Sequence, residues 1–314
     1  MISPSTAAVA AAFACAAPTI LWHALYNLVM PQPGGTITLG GALTVNRLGF
    51  GSMRLTGPGI FGPPADRDGC RHVLRRAVDL GVTFIDTADS YGPDVSEEII
   101  AEALHPYPAG VVIATKAGLL RPGPHKWTMN GDPARLRAAC DGSLTRLRVD
   151  RIDLYQLHRI DPDVPEADQF GVLADLRRAG KINLIGLSEV DVAAIERARA
   201  TLPVASVQNK YNVGERAYED VVHYCEREGI AFIPWYPLAA GALAGHADLL
   251  RVALKHHATP MQVAIAWLLA RSPAMLPIPG TSKVDHLEEN IGAVALRLDD
   301  DDLSQLNSVT LEGK

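Results

Sequence analysis

The sequence predicts a closed (β/α)8 barrel, the TIM-barrel architecture, on two observations. Eight short apolar runs follow one another along the chain, and amphipathic helical stretches separate them. Strand-helix repetition on that scale within about 250 residues is what a closed barrel requires, whereas a doubly wound sheet needs fewer units. The runs are "RLGFG", "VTFID", "VVIAT", "IDLYQ", "INLIG", "ASVQN", "AFIPW" and "MLPIP". Between them "DRDGCRHVLRRAVDLG", "VSEEIIAEAL", "PARLRAACDGSLTRL" and "VPEADQFGVLADLRRAG" read as helices. In "TPMQVAIAWLLAR", Thr259 is an expected N-cap with Pro260 in the first helical position. Ahead of the first run, "TITL", Gly40-Gly41 and "ALTV" predict a hairpin, because two glycines supply the positive φ angles of such a turn.

The stretch "GPGIFGPP" carries the spacing G-x-G-x-x-G in Gly57, Gly59 and Gly62. A dinucleotide loop of that kind holds pyrophosphate on backbone N-H groups. Pro58, Pro63 and Pro64 have none, two of them where the helix would open, so the stretch is expected to be a stiff loop.

Composition narrows the class further. Of 314 residues 48% are hydrophobic, enough for one large core or two ordinary ones, and the net charge is -6 with no Lys/Arg cluster, so no nucleic-acid partner is expected. The run Asp299 to Asp302 reads as helix capping. Cys15, Cys70, Cys140 and Cys225 are scattered without a C-x-x-C, which argues against a disulfide framework or a zinc site; no metal is expected, and a reducing, cytoplasmic setting fits. Residues 1-34 read as an apolar, Pro-rich extension before a catalytic unit at 35-314. No charge precedes Arg47, and Pro18, His23 and Asn27 interrupt the apolar stretch, so a signal or anchor is disfavoured against a dispensable segment, with Met30 as an alternative start.

A barrel locates its chemistry at the C-terminal strand ends. Asp86 and Tyr91 follow the second run, Lys116 ends the third and His158 ends the fourth. Tyrosine is a poor acid at neutral pH unless a cation stabilises its phenolate. Lys116 is expected to lower the Tyr91 pKa, Asp86 to keep the lysine charged, and His158 to orient a substrate carbonyl. The set reads as a device that protonates a carbonyl receiving a hydride.

"FIDTADSYG", "ATKAG" and "LYQLHRID" resemble the tetrad motifs of the aldo-keto reductases, and the resemblance runs from about Thr36 to Leu311 through "IGLSEV", "VQNKYN", "IPWYPLAAG" and "IPGTSKVDHLEENIGA". It implies a barrel closed at its bottom by the N-terminal hairpin, NADPH as cofactor and an aldehyde or ketone as substrate. The residues it assigns to the cofactor are Ser188, Glu189, Gln208, Trp235, Leu238, Gly241, Gly280, Thr281, Ser282, Lys283, His286, Glu289 and Asn290. Glu189 stands where many members carry Asn, and His286 where many carry Arg. "GSMRLTGPGIFGPPADRD" resembles the first βα loop of a bacterial branch that includes pyridoxal reductases, a loop that borders the substrate opening; Met53, Phe61 and Trp127 are the residues expected near the substrate. The resemblance leaves open a barrel that binds cofactor mainly to regulate a partner, and the residues leave open a Schiff-base lyase using Lys116. A monomer and a homo-oligomer are both compatible, with membrane association disfavoured.

Overall fold

The computed structural model of the chain describes residues 34-310. Of the predicted extension at 1-34, residues 1-33, with the alternative start, lie outside the described residues. The hairpin forms from β1 (Thr36–Leu39) and β2 (Leu43–Asn46), paired antiparallel. Ala42 N-H donates to the Leu39 carbonyl at 3.0 Å and Leu39 pairs with Leu43, so the loop is one residue longer than the two glycines alone imply.

Seven of the eight predicted runs are strands: β3 (Phe50–Gly51), β4 (Phe84–Asp86), β5 (Val112–Ala117), β8 (Ile152–Leu157), β9 (Ile182–Ser188), β10 (Val204–Gln208) and β11 (Ala231–Phe232). They pair in parallel in the order β3-β4-β5-β8-β9-β10-β11. A second hairpin, β6 (Leu119–Gly123) with β7 (Lys126–Met129), stands apart from that sheet and was not expected.

The eighth run joins the two free edges. Phe232 N-H donates to the Ala274 carbonyl at 2.8 Å, Leu276 N-H to the Phe232 carbonyl at 2.9 Å, and Gly49 N-H to the Pro277 carbonyl at 2.9 Å. Pro277 and Pro279 donate nothing, so the segment pairs chiefly as an acceptor and is not a regular strand. A Cβ on Gly280 would run into the Gly51 carbonyl, which is why the seam uses glycine on both sides. Arg47 fastens it, donating to the carbonyls of Leu269 at 2.9 Å, Ser272 at 2.7 Å and Met275 at 3.3 Å.

Strand periodicity sorts the core into two layers. Phe84, Ala114, Leu154, Leu184 and Ile233 share an inner cluster with Leu39 and Val45 of the hairpin. The alternate residues Ile85 and Ile113, or Tyr155 and Ile185, pack outward under the helices. Full burial of each large aliphatic chain stabilises the fold by about 1.5–3 kcal/mol relative to exposure.

The helices begin where their caps predict. Asp66 accepts from Gly69 N-H, Asp132 from Arg135 N-H, and Thr259 forms a capping box with Gln262 ahead of the helix Pro260–Arg271. Asp299 and Asp302 form a second capping box, confirming the capping role of the acidic run. No helix among the described residues is long and apolar enough to cross a membrane.

Candidate active site

The alternation that packs the barrel also builds its mouth. Two residues beyond inward Phe84 stands Asp86; beyond Ala114 stands Lys116; beyond Leu154 stand Gln156 and then His158. Ser188 ends β9 opposite Gln208, and β10 reaches that register through a bulge at Ala205. Apolar residues therefore fill the barrel floor, and the polar layer above them converges on one point.

That point is Asp86. Its Oδ2 accepts from Lys116 Nζ at 2.7 Å, and its Oδ1 from Gln208 Nε2 at 2.9 Å and Gln156 Nε2 at 3.3 Å. Lys116 Nζ donates again to the Thr87 carbonyl at 2.7 Å and is fully enclosed. Burial pushes the ammonium below its ordinary pKa, with Asp86 opposing.

Tyr91 sits on the loop after β4, buried, with its ring centroid 5.3 Å from Lys116 Nζ. Asp89 N-H donates to the Lys116 carbonyl at 3.1 Å, tying this loop to β5. A relay of hydroxyls, Thr87 to Ser96 to Ser52 to the Asp86 carbonyl, runs at 2.7–2.9 Å beneath it. The Tyr91 ring stands edge-on to His158 at 6.0 Å and to Trp127 at 6.4 Å.

The expected depression of the Tyr91 pKa is reversed. Burial, then the charge of Asp86, raises it above the ordinary phenol value, with Arg159 and Arg121 opposing. The Asp86 charge that pairs with Lys116 also acts on the phenol, so the pair does not lower the resting pKa. His158 moves well down, through burial and then the charges of Lys116 and Arg159, so it is neutral. Its Nδ1 lies 3.4 Å from Ser90 Oγ.

The unpredicted β6-β7 hairpin carries Trp127 to this cluster, 6.4 Å from the His158 ring. The 57-62 loop is clamped to it: Arg121 Nη2 donates to the Gly59 carbonyl at 2.6 Å, and His125 N-H donates to the same oxygen. Phe61 bridges Gly92, the residue after Tyr91. The loop is thus a rim of the mouth, while Met53 lies half-buried in the turn Ser52–Leu55.

Across the mouth the remaining predicted residues form a looser arc. Ser188 Oγ accepts from Arg159 Nη1 at 3.0 Å. Trp235, half-buried, donates Nε1-H to Glu189 Oε1 at 2.6 Å, and Lys210 N-H donates to the same oxygen at 2.7 Å. Leu238 is half-buried and Gly241 exposed in a turn where Tyr236, Ala239 and Ala240 have positive φ. Thr281 is buried, whereas Gly280, Ser282, Lys283 and His286 are exposed. The helix Val284–Gly292 starts from Lys283 without a side-chain cap. Asn290 is buried, and the Glu289 carboxylate accepts from Thr259 Oγ1 at 2.6 Å.

Gln156, Arg159, Arg121 and Asp89 belong to this site and were not singled out from the sequence. Gln156 had a signal, since it shares the inward phase of His158 in "LYQLHRID". Arg121 had none, because the hairpin that carries it did not read as strands. A separate cleft of about 550 Å³ lies between helices, lined by Arg216, Glu219, Trp267 and Arg271, and holds none of these groups.

Comparison with known proteins places this geometry. The Aldo/keto reductase family model matches residues 47–310. An uncharacterized oxidoreductase of Schizosaccharomyces pombe is 51% identical over 92% of this chain and 93% of its own length. The pyridoxine 4-dehydrogenase of Escherichia coli is 42% identical over 88% of this chain and 99% of its own. An aldo/keto reductase of Klebsiella pneumoniae, solved with NADP and acetate, superposes with a TM-score of 0.75 at 27% identity, over 87% of this chain and 94% of that one. With Asp86, Tyr91, Lys116 and His158 gathered at the mouth of a parallel α/β barrel, the chain belongs to the aldo/keto reductase family.

Proposed function

We propose that this chain reduces an aldehyde or ketone to an alcohol with NADPH, with Tyr91 as proton donor; pyridoxal-type aldehydes are the leading candidates. One observation carries the reading: an enclosed Lys116, fixed on Asp86 at 2.7 Å, lies 5.3 Å from the ring of a protonated, buried tyrosine. Relatives support it, since the E. coli homologue is named for pyridoxine dehydrogenation and the Klebsiella structure was solved with NADP.

The other half of the mouth fits a dinucleotide. Trp235 is pinned through Nε1 with its ring part-exposed, and the helix Val284–Gly292 has an uncapped N-terminus beside exposed Ser282 and Lys283. Free N-H groups at such an end favour a phosphate. Ser188 and Gln208 would hold the nicotinamide amide, Trp235 its ring, Leu238 and Gly241 the pyrophosphate. Gly280, Thr281, Ser282, Lys283 and His286 would take the 2'-phosphate end, and Glu289 with Asn290 the adenine. We read Glu189 as positioning Trp235, because that is where its carboxylate points. When bound, the cofactor supplies hydride.

The residues of this chain do the rest. Neutral His158 orients the carbonyl oxygen toward the Tyr91 hydroxyl, which donates its proton. As phenolate forms, the Lys116 ammonium stabilises it, and Asp86 keeps that ammonium charged. A Schiff-base role for Lys116 is disfavoured, since its nitrogen is enclosed and doubly hydrogen-bonded. The hairpin we read as the plug of the barrel's bottom, because Leu39 and Val45 join the inner cluster.

Tyr91→Phe tests the assignment. General acid catalysis contributes about 10²–10⁴ in rate, so NADPH oxidation with a panel of carbonyls should fall by that factor while NADPH affinity stays within about twofold. Turnover close to wild type would overturn the role of Tyr91.

A further inference from the structure

Two guanidiniums border the Tyr91, His158 and Trp127 cluster, and neither has a carboxylate in ion-pair contact among the described residues. Arg121 lies with its Cζ 3.6 Å over the Trp127 ring, and its Nη1 is buried without a hydrogen-bond partner. Its other nitrogens hold carbonyls of Lys126 and Gly59. Arg159, next to His158, spends one nitrogen, Nη1, on the His158 carbonyl at 2.6 Å and on Ser188 Oγ at 3.0 Å. Its Nε and Nη2 make no hydrogen bond among the described residues.

The acids nearby make their contacts elsewhere. Asp86 is balanced by Lys116. Glu189, whose charge reaches Arg159, accepts from Trp235 and Lys210 on one oxygen and from Tyr218 on the other. Most surface arginines, by contrast, end on carboxylates, as Arg67, Arg71 and Arg197 do. Largely buried charge without a contacting counter-ion is costly, so a site that keeps two such groups, one offset only by the more distant Glu189, gains by taking an anion from its ligand.

Resting on the reading of the mouth as a carbonyl-reduction site, we propose that the substrate is an anionic carbonyl compound, with a carboxylate or phosphate close to the reducible group held by Arg159 and steadied by the charge of Arg121. The guanidinium suits this, because its fixed fork matches two anion oxygens at once. A neutral aldehyde reaches the same tyrosine but leaves Arg121 without a contacting counter-ion and Arg159 offset only by the charge of Glu189, beyond ion-pair distance.

The test uses the full chain with saturating NADPH and paired probes: ortho-, meta- and para-carboxybenzaldehyde against benzaldehyde, and pyridoxal phosphate against pyridoxal. The anionic member should lead in kcat/KM by about tenfold or more, the scale of a charge-assisted hydrogen bond. Arg159→Met should remove most of that preference and Arg159→Lys should keep part of it; preference within one pair only would identify the anion as carboxylate or phosphate. Equal kcat/KM within both pairs, or an Arg159→Met variant that lowers both members alike, would overturn the proposal. Calorimetric binding of carboxybenzyl alcohol against benzyl alcohol to the NADPH-loaded chain reads anion recognition without turnover. Equal affinities there refute the anion site, whereas absence of NADPH oxidation with every carbonyl refutes the reductase reading instead.

Discussion

The two halves of the barrel mouth are built on opposite plans. On the side of β4, β5 and β8, Asp86, Lys116 and Tyr91 are buried, and protein groups take the hydrogen bonds of the ion pair. On the other side, Ser282, Lys283 and His286 are exposed, and the turn at 236-241 holds three non-glycine residues at positive φ. Groups that move a proton gain from fixed geometry and exclusion of water. Groups that grip a charged ligand must stay reachable. On the proposed function, the contrast teaches that preorganisation is concentrated where bonds would change.

The comparison breaks first at Lys116. Lys116→Met leaves Asp86 charged and enclosed, and removing one partner of a buried pair costs about 3–5 kcal/mol. Turnover should fall by at least about 10² as the phenolate loses its cation. Asp86→Asn in the same chain should restore much of the stability, read by urea unfolding, without restoring turnover. If the double variant regains activity, the ion pair is structural only.

Asp89 sharpens the comparison through pH. Burial and then Glu97 raise its pKa to about 7, Asp94 adding, while Arg135 and Arg146 oppose. An unfolded aspartate titrates near 3.9, so the folded state binds the extra proton between about pH 4 and 7. Its cost is absent below about pH 4, grows through that window and is complete above about pH 7, at up to about 4 kcal/mol. Asp89→Asn should therefore gain on the parent protein as pH rises from 4 to 8, measured by thermal melts. A gap independent of pH would place the titration elsewhere.

The smallest effect belongs to the exposed half. Lys283→Ala should weaken NADPH binding about five- to thirtyfold, the scale of one charge-assisted hydrogen bond, and leave NADH nearly unchanged. Equal loss for both, by fluorescence titration, would put Lys283 away from the 2'-phosphate.

Much of this was legible beforehand because strand and helix periods are local. Seven runs became strands, the eighth became the seam, and the predicted caps at Thr259 and Asp299 form. Asp86, Lys116 and His158 were legible because strand ends point to a barrel's mouth. The β6-β7 hairpin was not, since Gly123 and Pro124 break its alternation, and neither was the bulge at Ala205, which only pairing with β9 reveals. The direction of the Tyr91 pKa failed for a further reason. Burial and the balance between Lys116 and Asp86 are tertiary quantities that no local pattern carries.

The seam has a consequence in time. Arg47 reaches carbonyls 222–228 residues away, and Gly49 pairs with Pro277 across a similar span. Contacts of that separation repay their chain entropy last, so the barrel closes only when nearly the whole chain is available. During synthesis β3 and β11 stand as open edges, the kind of surface that invites pairing with a second chain, until residues 274-280 arrive. Glycine at the seam then lets the two backbones meet directly at Gly51 and Gly280, and Arg47 is left as the side chain that must find its carbonyls for the edge to hold.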